Sequence, residues 1–365
     1  MKSYDVVIVG AGMAGAGLAA EIAAGADVLL LEAEARPGVH ATGRSAAFWT
    51  ESYGGPGVRP LTTASGPALR DGGYLSPRRA LHIAGPSGES ALRVLERDFA
   101  GSIAMERVAP AAFVPGLTPE WDRAILEPSC CDIDVARLHA DCLATARRHG
   151  ADIACDAGLV SARWDGGGWI IQTRDGQEFG AALLVDAAGA WADAVAAAAG
   201  VRPLGIAAYR RTIVQLRIDP PVPADLPLVL DAGGGFYFKP EAGGRLWLSP
   251  HDESPAQAGD AAAEEIDVAL AIDRLHSVVD WRVEQVEHRW AGLRSFAPDR
   301  LPVYGFALDC PGFFWCAGQG GFGIQTAPAA AALAAALLTR RAPAGAAAGI
   351  DPARYLPDRL SNGVS

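Results

Sequence analysis

The sequence is poor in the residues that build metal centres and disulfide scaffolds. Six cysteines occur in 365 residues, at 130, 131, 142, 155, 310 and 316, and no two form a C-x-x-C pair. No histidine cluster stands near them at metal-ligand spacing, which excludes a zinc ribbon and leaves no expected metal site. The expected state is a set of reduced, mostly buried thiols in a cytoplasmic protein, with Cys130 and Cys131 structural. Positive charge is also short. Lys and Arg number 31 against 42 Asp and Glu, a formal net charge of −11. No bulk basic surface remains to neutralise nucleic-acid phosphates, so nucleic acid is not an expected partner. Long apolar runs are missing too. The longest, Ala327–Leu338, is too short and too alanine-rich to span a bilayer. It reads as a packed helix closing on Arg340 and Arg341, cations suited to a helix C-terminus. The first apolar strand begins at about the fifth residue, so no signal peptide is expected before it. No repeat of 20–50 residues is visible, and no Ser/His/Asp pattern marks a nucleophile.

What is present is a βαβ unit. Residues 5–9, DVVIV, read as a buried parallel strand. Gly10-x-Gly12-x-x-Gly15 follows at once and opens an alanine-rich helix. Gly10 permits the tight turn, Gly12 lets backbone approach a pyrophosphate, and Gly15 lets helix pack on strand. The helix N-terminus offers free N–H groups and partial positive charge to the phosphates. A second apolar strand, Val28–Leu31, ends in Glu32, placed to accept from a ribose 2′-OH. The expected cofactor-facing positions here are Gly10, Ala11, Gly12, Met13, Ala14, Gly15, Glu32 and Ala33.

At this length the chain holds one large or two ordinary domains. Residues 33–65, rich in Gly, Pro, Ser and Thr, read as a long functional loop. Ala80–Ala84 reads as a strand, and 134–150 as a helix with Asp134 as N-cap and Gly150 at its end. Trp169–Thr173 is a strand followed by an Asp175-Gly176 hairpin signal, and 183–187 is a buried strand. From about 203 to 290 strand-like runs at 212–218, 236–239 and Arg245–Ser249 precede a helix at 263–275. The expected class is mixed α/β (α+β). A Rossmann-like nucleotide domain would comprise 1–75, 130–202 and 291–365, and a mixed or antiparallel substrate domain 76–129 and 203–290.

Three separated segments suit a flavin. They are the βαβ unit, the strand-to-turn LVDAAGAW at 184–191, and the glycine loop CAGQGGFGIQTAP at 316–328. Small residues let a cofactor lie against bare backbone. The helix after the third segment would aim its N-terminus at the negative charge of a reduced flavin.

At this point the chain resembles the FAD-dependent D-amino acid oxidase/dehydrogenase superfamily, which includes glycine and sarcosine oxidases. The similarity runs nearly full length and is strongest toward bacterial D-arginine dehydrogenases. It rests on TGRSAA at 42–47, TESYG at 50–54, YLSPR at 74–78, DIDVARLH at 132–139 and LVDAAGAWAD at 184–193. GVRPLG at 200–205, FYFKP at 236–240, WAGLRSF at 290–296 and GFFWCAGQGGFGIQT at 312–326 complete it. The resemblance implies that Thr42, Gly43, Arg44, Ser45, Ala46 and Ala47 line the cofactor. So would Val160, Ala188, Gly189, Trp191, Gly292 and Arg294. Gly321, Phe322, Gly323, Ile324 and Gln325 would meet the pyrimidine end of a non-covalent FAD. It further implies that Arg211, Tyr237 and Arg294 hold a substrate carboxylate, that Tyr53 rides a mobile loop over the substrate, and that Gly320 and Gln325 lie close by.

The physics of the reaction agrees with those roles. A guanidinium fork is the best rigid clamp for a carboxylate. Arg210 and Arg211 are adjacent, so in a strand only one faces the site, and the family match selects Arg211. Arg294, in an apolar stretch, needs a partner if buried. Two positions depart from the D-arginine enzymes. Phe48, followed by Trp49, replaces a histidine, and Ala80 stands where an acidic residue would answer a guanidinium. The expected substrate is therefore a D-amino acid with an apolar or aromatic side chain, lined by Phe48, Trp49 and Ala80; the competing reading makes both aromatics ordinary core. The electron acceptor would be a quinone or oxygen. Oxidation of a secondary amine such as sarcosine or proline, or of a 2-hydroxy acid, stays open, as do a flavin-binding sensor without turnover and a nicotinamide dehydrogenase.

Overall fold

The computed structural model describes residues 1–363, of which 361–363 are described by backbone alone. Its first sheet runs 159–164, 169–173, 178–186, 2–9, 28–31, 152–154 in spatial order. Strand Phe313–Ala317 adds in parallel beside the end of Glu178–Asp186 and carries Val303–Phe306 antiparallel to it. The parallel strands are short, apolar and covered on both faces, as parallel strands require. One face packs against helices Met13–Ile22 and Ala327–Leu338, around Ile8, Leu30, Leu333 and Tyr304. The other buries Trp169, Phe313 and Trp315.

A ten-stranded sheet forms the second layer. Its centre is the long antiparallel pair Ala207–Asp219 and Arg282–Phe296. Strands 245–249, 237–241, 228–231 and 80–84 continue it, with one parallel step between Leu228–Asp231 and Ala80–Ala84. Val214, Phe238 and Leu248 pack with Val268, Ala271 and Leu275 of helix Glu265–His276 on one face. The other face looks toward the first sheet. A small third sheet, 48–49, 131–133 and 75–77, links the two.

The structure places a helix, Gly55–Asp71, inside the stretch expected as loop. Its buried residues Val58, Leu61, Thr62, Ser65, Gly66 and Leu69 keep helical spacing. Half of them are small or polar, so the apolar periodicity was faint. Ser65 also accepts from Ala329 N at 3.1 Å, satisfying a free N–H at the start of helix Ala327–Leu338. Helix Glu89–Phe99 has no counterpart in the expectations above. Asp134 caps Val135–Arg148 through Arg137 N at 3.0 Å. All six cysteines are free. Among the described residues no helix is long and apolar enough to cross a membrane, and no group of three His, Cys, Asp or Glu could hold a metal.

Candidate active site

Strand register brings the substrate-side residues together. Arg211 pairs with Gly292 and Ile213 with Trp290 across the central antiparallel pair. Arg294 lies two residues beyond Gly292, so it shares the face of Arg211. Val214 pairs with Leu248 and Tyr237 with Ser249, which puts Tyr237 on that same face. Arg210 points the other way and pairs with Glu264 and, at 2.8 Å, with Asp267. Between this face and the first sheet lies a cavity of about 380 Å³.

The first sheet supplies the glycine-lined half of the wall. Gly10 sits at φ +99°, and a Cβ there would come within 2.5 Å of Ala187 O. At Gly15 a Cβ would overlap Gly10 O, so only glycine allows that helix–strand approach. Thr42 Oγ1 accepts from Met13 N at 3.0 Å at the first turn of the helix. The Glu32 carboxylate accepts from Ala11 N at 3.2 Å and Glu34 N at 3.1 Å, and it lines the cavity. Met13, Ala14, Ala33, Ala188 and Gly189 line the same end. Trp191 joins them and packs against His40 at 4.7 Å. Arg44, Ser45, Ala46 and Ala47 continue the wall toward the ten-stranded sheet, where Arg44 Nη1 donates to Ala261 O (2.8 Å) and Ala291 O (3.1 Å). Asp186, buried beneath the Ala188 turn, accepts from Ala188 N at 3.0 Å, and burial pushes its carboxyl well above its usual range.

The opposite end of the cavity is charged and aromatic. Arg211 and Arg294 are both buried. Arg294 donates from Nη1 to Glu253 at 2.7 Å and from Nη2 to Tyr53 OH at 3.2 Å. Its guanidinium rests against the backbone of Gly321, where a Cβ would overlap it. Arg211 Nε donates to Asp252 O at 2.7 Å, while its buried Nη1 has no partner among the described residues. Burial lowers the Arg294 pKa from the usual arginine range, and Arg211 pushes the same way. Burial holds the Tyr237 phenol above its usual value, so it stays protonated. Phe48 meets Tyr53 and Tyr237 edge-on at 5.0 and 5.9 Å. Gln325 Nε2 donates to Tyr53 O (2.9 Å) and Thr62 Oγ1 (3.0 Å), which fastens the Tyr53 loop to the glycine loop. Gly292, Gly320, Gly321, Gly323 and Ile324 also line the cavity.

Several expected residues stand elsewhere. Trp49 follows Phe48 in a strand and therefore points to the opposite side. It packs with Met13, Leu69 and Ile133, stacks on Arg70 at 4.7 Å, and donates to Thr62 O at 2.9 Å. It is core and does not line the cavity, contrary to the expected substrate-pocket role. Ala80 is fully buried behind Phe48 and Tyr237, one layer below the wall. Val160 is 56% exposed, and Leu159 lines the cavity in its place. Ala11, Gly15, Gly43 and Phe322 shape the wall from behind, Phe322 through its edge-on contact with Tyr53 at 5.3 Å.

The turn after strand Arg245–Ser249 supplies three site residues the sequence reading missed, His251, Asp252 and Glu253. His251 Nδ1 lies 2.8 Å from Gly234 O, an acceptor, so Nδ1 carries the proton. Its Nε2 is then free to accept from Tyr53 OH, 3.4 Å away. Burial, then the Arg211 charge, hold the imidazole down to about 3, so it is neutral at ordinary pH. Asp252 accepts from Thr212 N at 2.8 Å. A charged HDE run directly after a strand of the same sheet is the signal that could have found them. Below the Tyr53 loop, buried Glu127 accepts from Ser52 Oγ (2.5 Å) and Glu51 N (2.9 Å). Burial pushes its carboxyl up, and the His82, Ser52 and Thr50 contacts outweigh that.

The sequence pattern of the DAO family, described as FAD dependent oxidoreductase, matches residues 5–337. Solved structures with the same fold include glycine oxidase from Geobacillus kaustophilus, 23% identical over 100% of both chains with a TM-score of 0.84. L-proline dehydrogenase from P. horikoshii is 18% identical over 99% of both chains, TM-score 0.84. Iminodiacetate oxidase from Chelativorans sp. BNC1 is 22% identical over 96% of this chain and 98% of its own, TM-score 0.78.

Proposed function

The chain belongs to the DAO family of FAD-dependent oxidoreductases, and from that premise we propose that it oxidises the Cα–N bond of a D-amino acid with an apolar or aromatic side chain. The site's residues fit the cofactor. Gly10, Gly12 and Gly321 line the cavity without side chains, the first turn of helix Met13–Ile22 lines the same space, and Glu32 lines it where a ribose 2′-OH would be accepted. Bound FAD would supply the acceptor for one hydride, the two electrons and the proton that leave Cα.

The observation that carries this reading is the pair of buried arginines on one sheet face, both lining the cavity, with Arg211 Nη1 left without a partner among the described residues. A carboxylate placed there would receive charge-assisted hydrogen bonds from both guanidinium groups. Tyr237, held protonated, donates alongside. The Tyr53 hydroxyl oxygen accepts from Arg294 Nη2 while its proton points to His251 Nε2, which leaves a lone pair for an N–H of the substrate amine. Fixing carboxylate and amine fixes Cα, and such positioning contributes up to ~7–11 kcal/mol in favourable cases. The imino acid released then hydrolyses to a 2-oxo acid and ammonia.

Phe48, Ile213 and the rings of Tyr53 and Tyr237 surround the remaining substituent. Asp132, which pairs with Phe48 in strand register, is already engaged by Arg78 at 2.7 Å and Lys239 at 2.8 Å and so does not answer a cationic side chain beside Phe48. The D configuration rests on the similarity of the quoted stretches to D-arginine dehydrogenases. The names of the glycine, proline and iminodiacetate enzymes favour a second reading, oxidation of a small or secondary amine that carries a carboxylate. The acceptor is proposed to be a quinone or oxygen, and free thiols suit the proposed cytoplasmic setting. Anaerobic bleaching of the flavin by a panel of D- and L-amino acids, sarcosine, proline and 2-hydroxy acids tests all of this. Fastest bleaching by D-leucine, D-methionine or D-phenylalanine supports the proposal; fastest bleaching by sarcosine or proline replaces it with the second reading.

A further inference from the structure

Three guanidinium groups converge on one carboxylate at the charged end of the cavity. Glu253 Oε1 accepts from Arg294 Nη1 at 2.7 Å, Arg300 Nη2 at 2.9 Å and Arg211 Nη2 at 3.4 Å, and Oε2 accepts from Arg300 Nη2 at 2.9 Å. Among the described residues, the other carboxylate in contact with these arginines is Asp252, 3.8 Å from Arg211 Nε. Tyr53 and Tyr237 are phenols, and His251 is neutral. Three positive charges thus face two negative ones, and one positive charge is left over. That surplus matches a single substrate carboxylate, delivered to the buried Arg211 Nη1. Glu253 is not part of the cavity wall. It reaches the arginines from the outer side, its side chain 33% exposed, and so acts on the substrate through them.

We propose that Glu253 is a specificity-determining residue that limits the site to monocarboxylate substrates by occupying the second anion place of the Arg211–Arg294–Arg300 cluster. The inference rests on the clamp reading above. A substrate bearing a second carboxylate brings a negative charge into a cluster that Glu253 has already filled. Like charges held a few ångströms apart in this partly buried cluster repel, and solvent screens them less than at an open surface. Removing the Glu253 charge frees one unit of positive charge on the arginines to answer a second substrate carboxylate.

The test uses FAD-loaded enzyme and the variants Glu253→Gln and Arg300→Gln. Glu253→Gln keeps the shape and one acceptor oxygen. In the wild-type enzyme kcat/KM for D-leucine should exceed that for D-glutamate at least 30-fold. In Glu253→Gln the ratio should shrink at least tenfold, through KM for D-glutamate and with little change in kcat. Arg300→Gln should widen it about threefold. An unchanged ratio in both variants overturns the proposal. A binding readout separates this from failure of the amino-acid reading. Benzoate and malonate are titrated against the oxidised holoenzyme, following the perturbed flavin spectrum. Malonate should bind at least tenfold tighter to Glu253→Gln than to wild type while benzoate moves less than threefold. If no amino acid bleaches the flavin but malonate tightens, the substrate reading fails and the role of Glu253 stands. If malonate binding is indifferent to Glu253, the role falls.

Discussion

The two ends of the cavity are built from different parts of the chain. The cofactor end is made of backbone: glycine turns, a helix N-terminus and the tips of parallel strands. The end proposed for the substrate is made of long side chains raised from alternate positions of two antiparallel strands, closed by the loops around Tyr53 and Glu253. Backbone contacts serve any ligand with the same phosphates, ribose and ring. Side-chain contacts choose among ligands, and they are exchangeable one at a time. The cofactor end should therefore tolerate few changes in conformation and the substrate end few changes in charge.

The largest expected effect comes from emptying the charged end while sparing the other. Arg294→Met should lower kcat/KM about 10²–10⁴-fold, the ~3–5 kcal/mol of a buried charged hydrogen-bond pair left open. FAD content should stay within about twofold of wild type, read from the flavin absorbance of the purified protein. Loss of flavin in that variant would break the comparison. Next is the reverse change. Gly10→Ala meets Ala187 O and an unfavourable φ of +99°. A cost of about 1–3 kcal/mol should appear as a 5- to 150-fold weaker FAD Kd, with a normal KM in the fraction that retains flavin. Third, D-leucine should exceed D-arginine in kcat/KM by about tenfold or more, because a guanidinium would enter this site without a partner. A D-arginine preference would remove the apolar reading of Phe48.

The smallest effect concerns His251. Its folded pKa, about 3, lies below the ordinary imidazole value. The unfolded chain therefore binds more protons between those limits, and stability falls as pH drops through about 6.5. Between pH 7 and 5.5 the loss should be about 1 kcal/mol from this group. Thermal melts of wild type and His251→Asn at both pH values measure it, and equal slopes would place the imidazole outside the buried end.

The contrast between the two ends also explains what was legible beforehand. Glycine spacing and apolar runs mark the cofactor end, and strands Val28–Leu31, Ala80–Ala84 and Arg245–Ser249 and helix Ala327–Leu338 have the expected bounds. Strand Arg282–Phe296 carried no such mark. Its first half, RVEQVEHR, is largely exposed and polar, so alternation fails where the strand begins. Helix Gly55–Asp71 hid behind interior Pro60 and Pro67 and a buried face of small residues. Phe48 and Trp49 show a finer limit. Composition cannot tell which of two adjacent aromatics faces a cavity; only the strand they lie in decides it. The 251–253 turn went unread for the same reason, since its importance lies in what it faces across space.

The two ends meet where the Arg294 guanidinium lies on the backbone of Gly321. One partner belongs to the loop proposed to line the cofactor, the other to the proposed anion clamp. Any displacement of that loop is a displacement of the clamp. Occupancy at one end is thus energetically tied to occupancy at the other, and thermodynamic reciprocity makes the tie equal in both directions. On the proposed reading, a carboxylate seated on Arg294 would help retain the flavin by the same factor that the flavin improves the hold on the carboxylate.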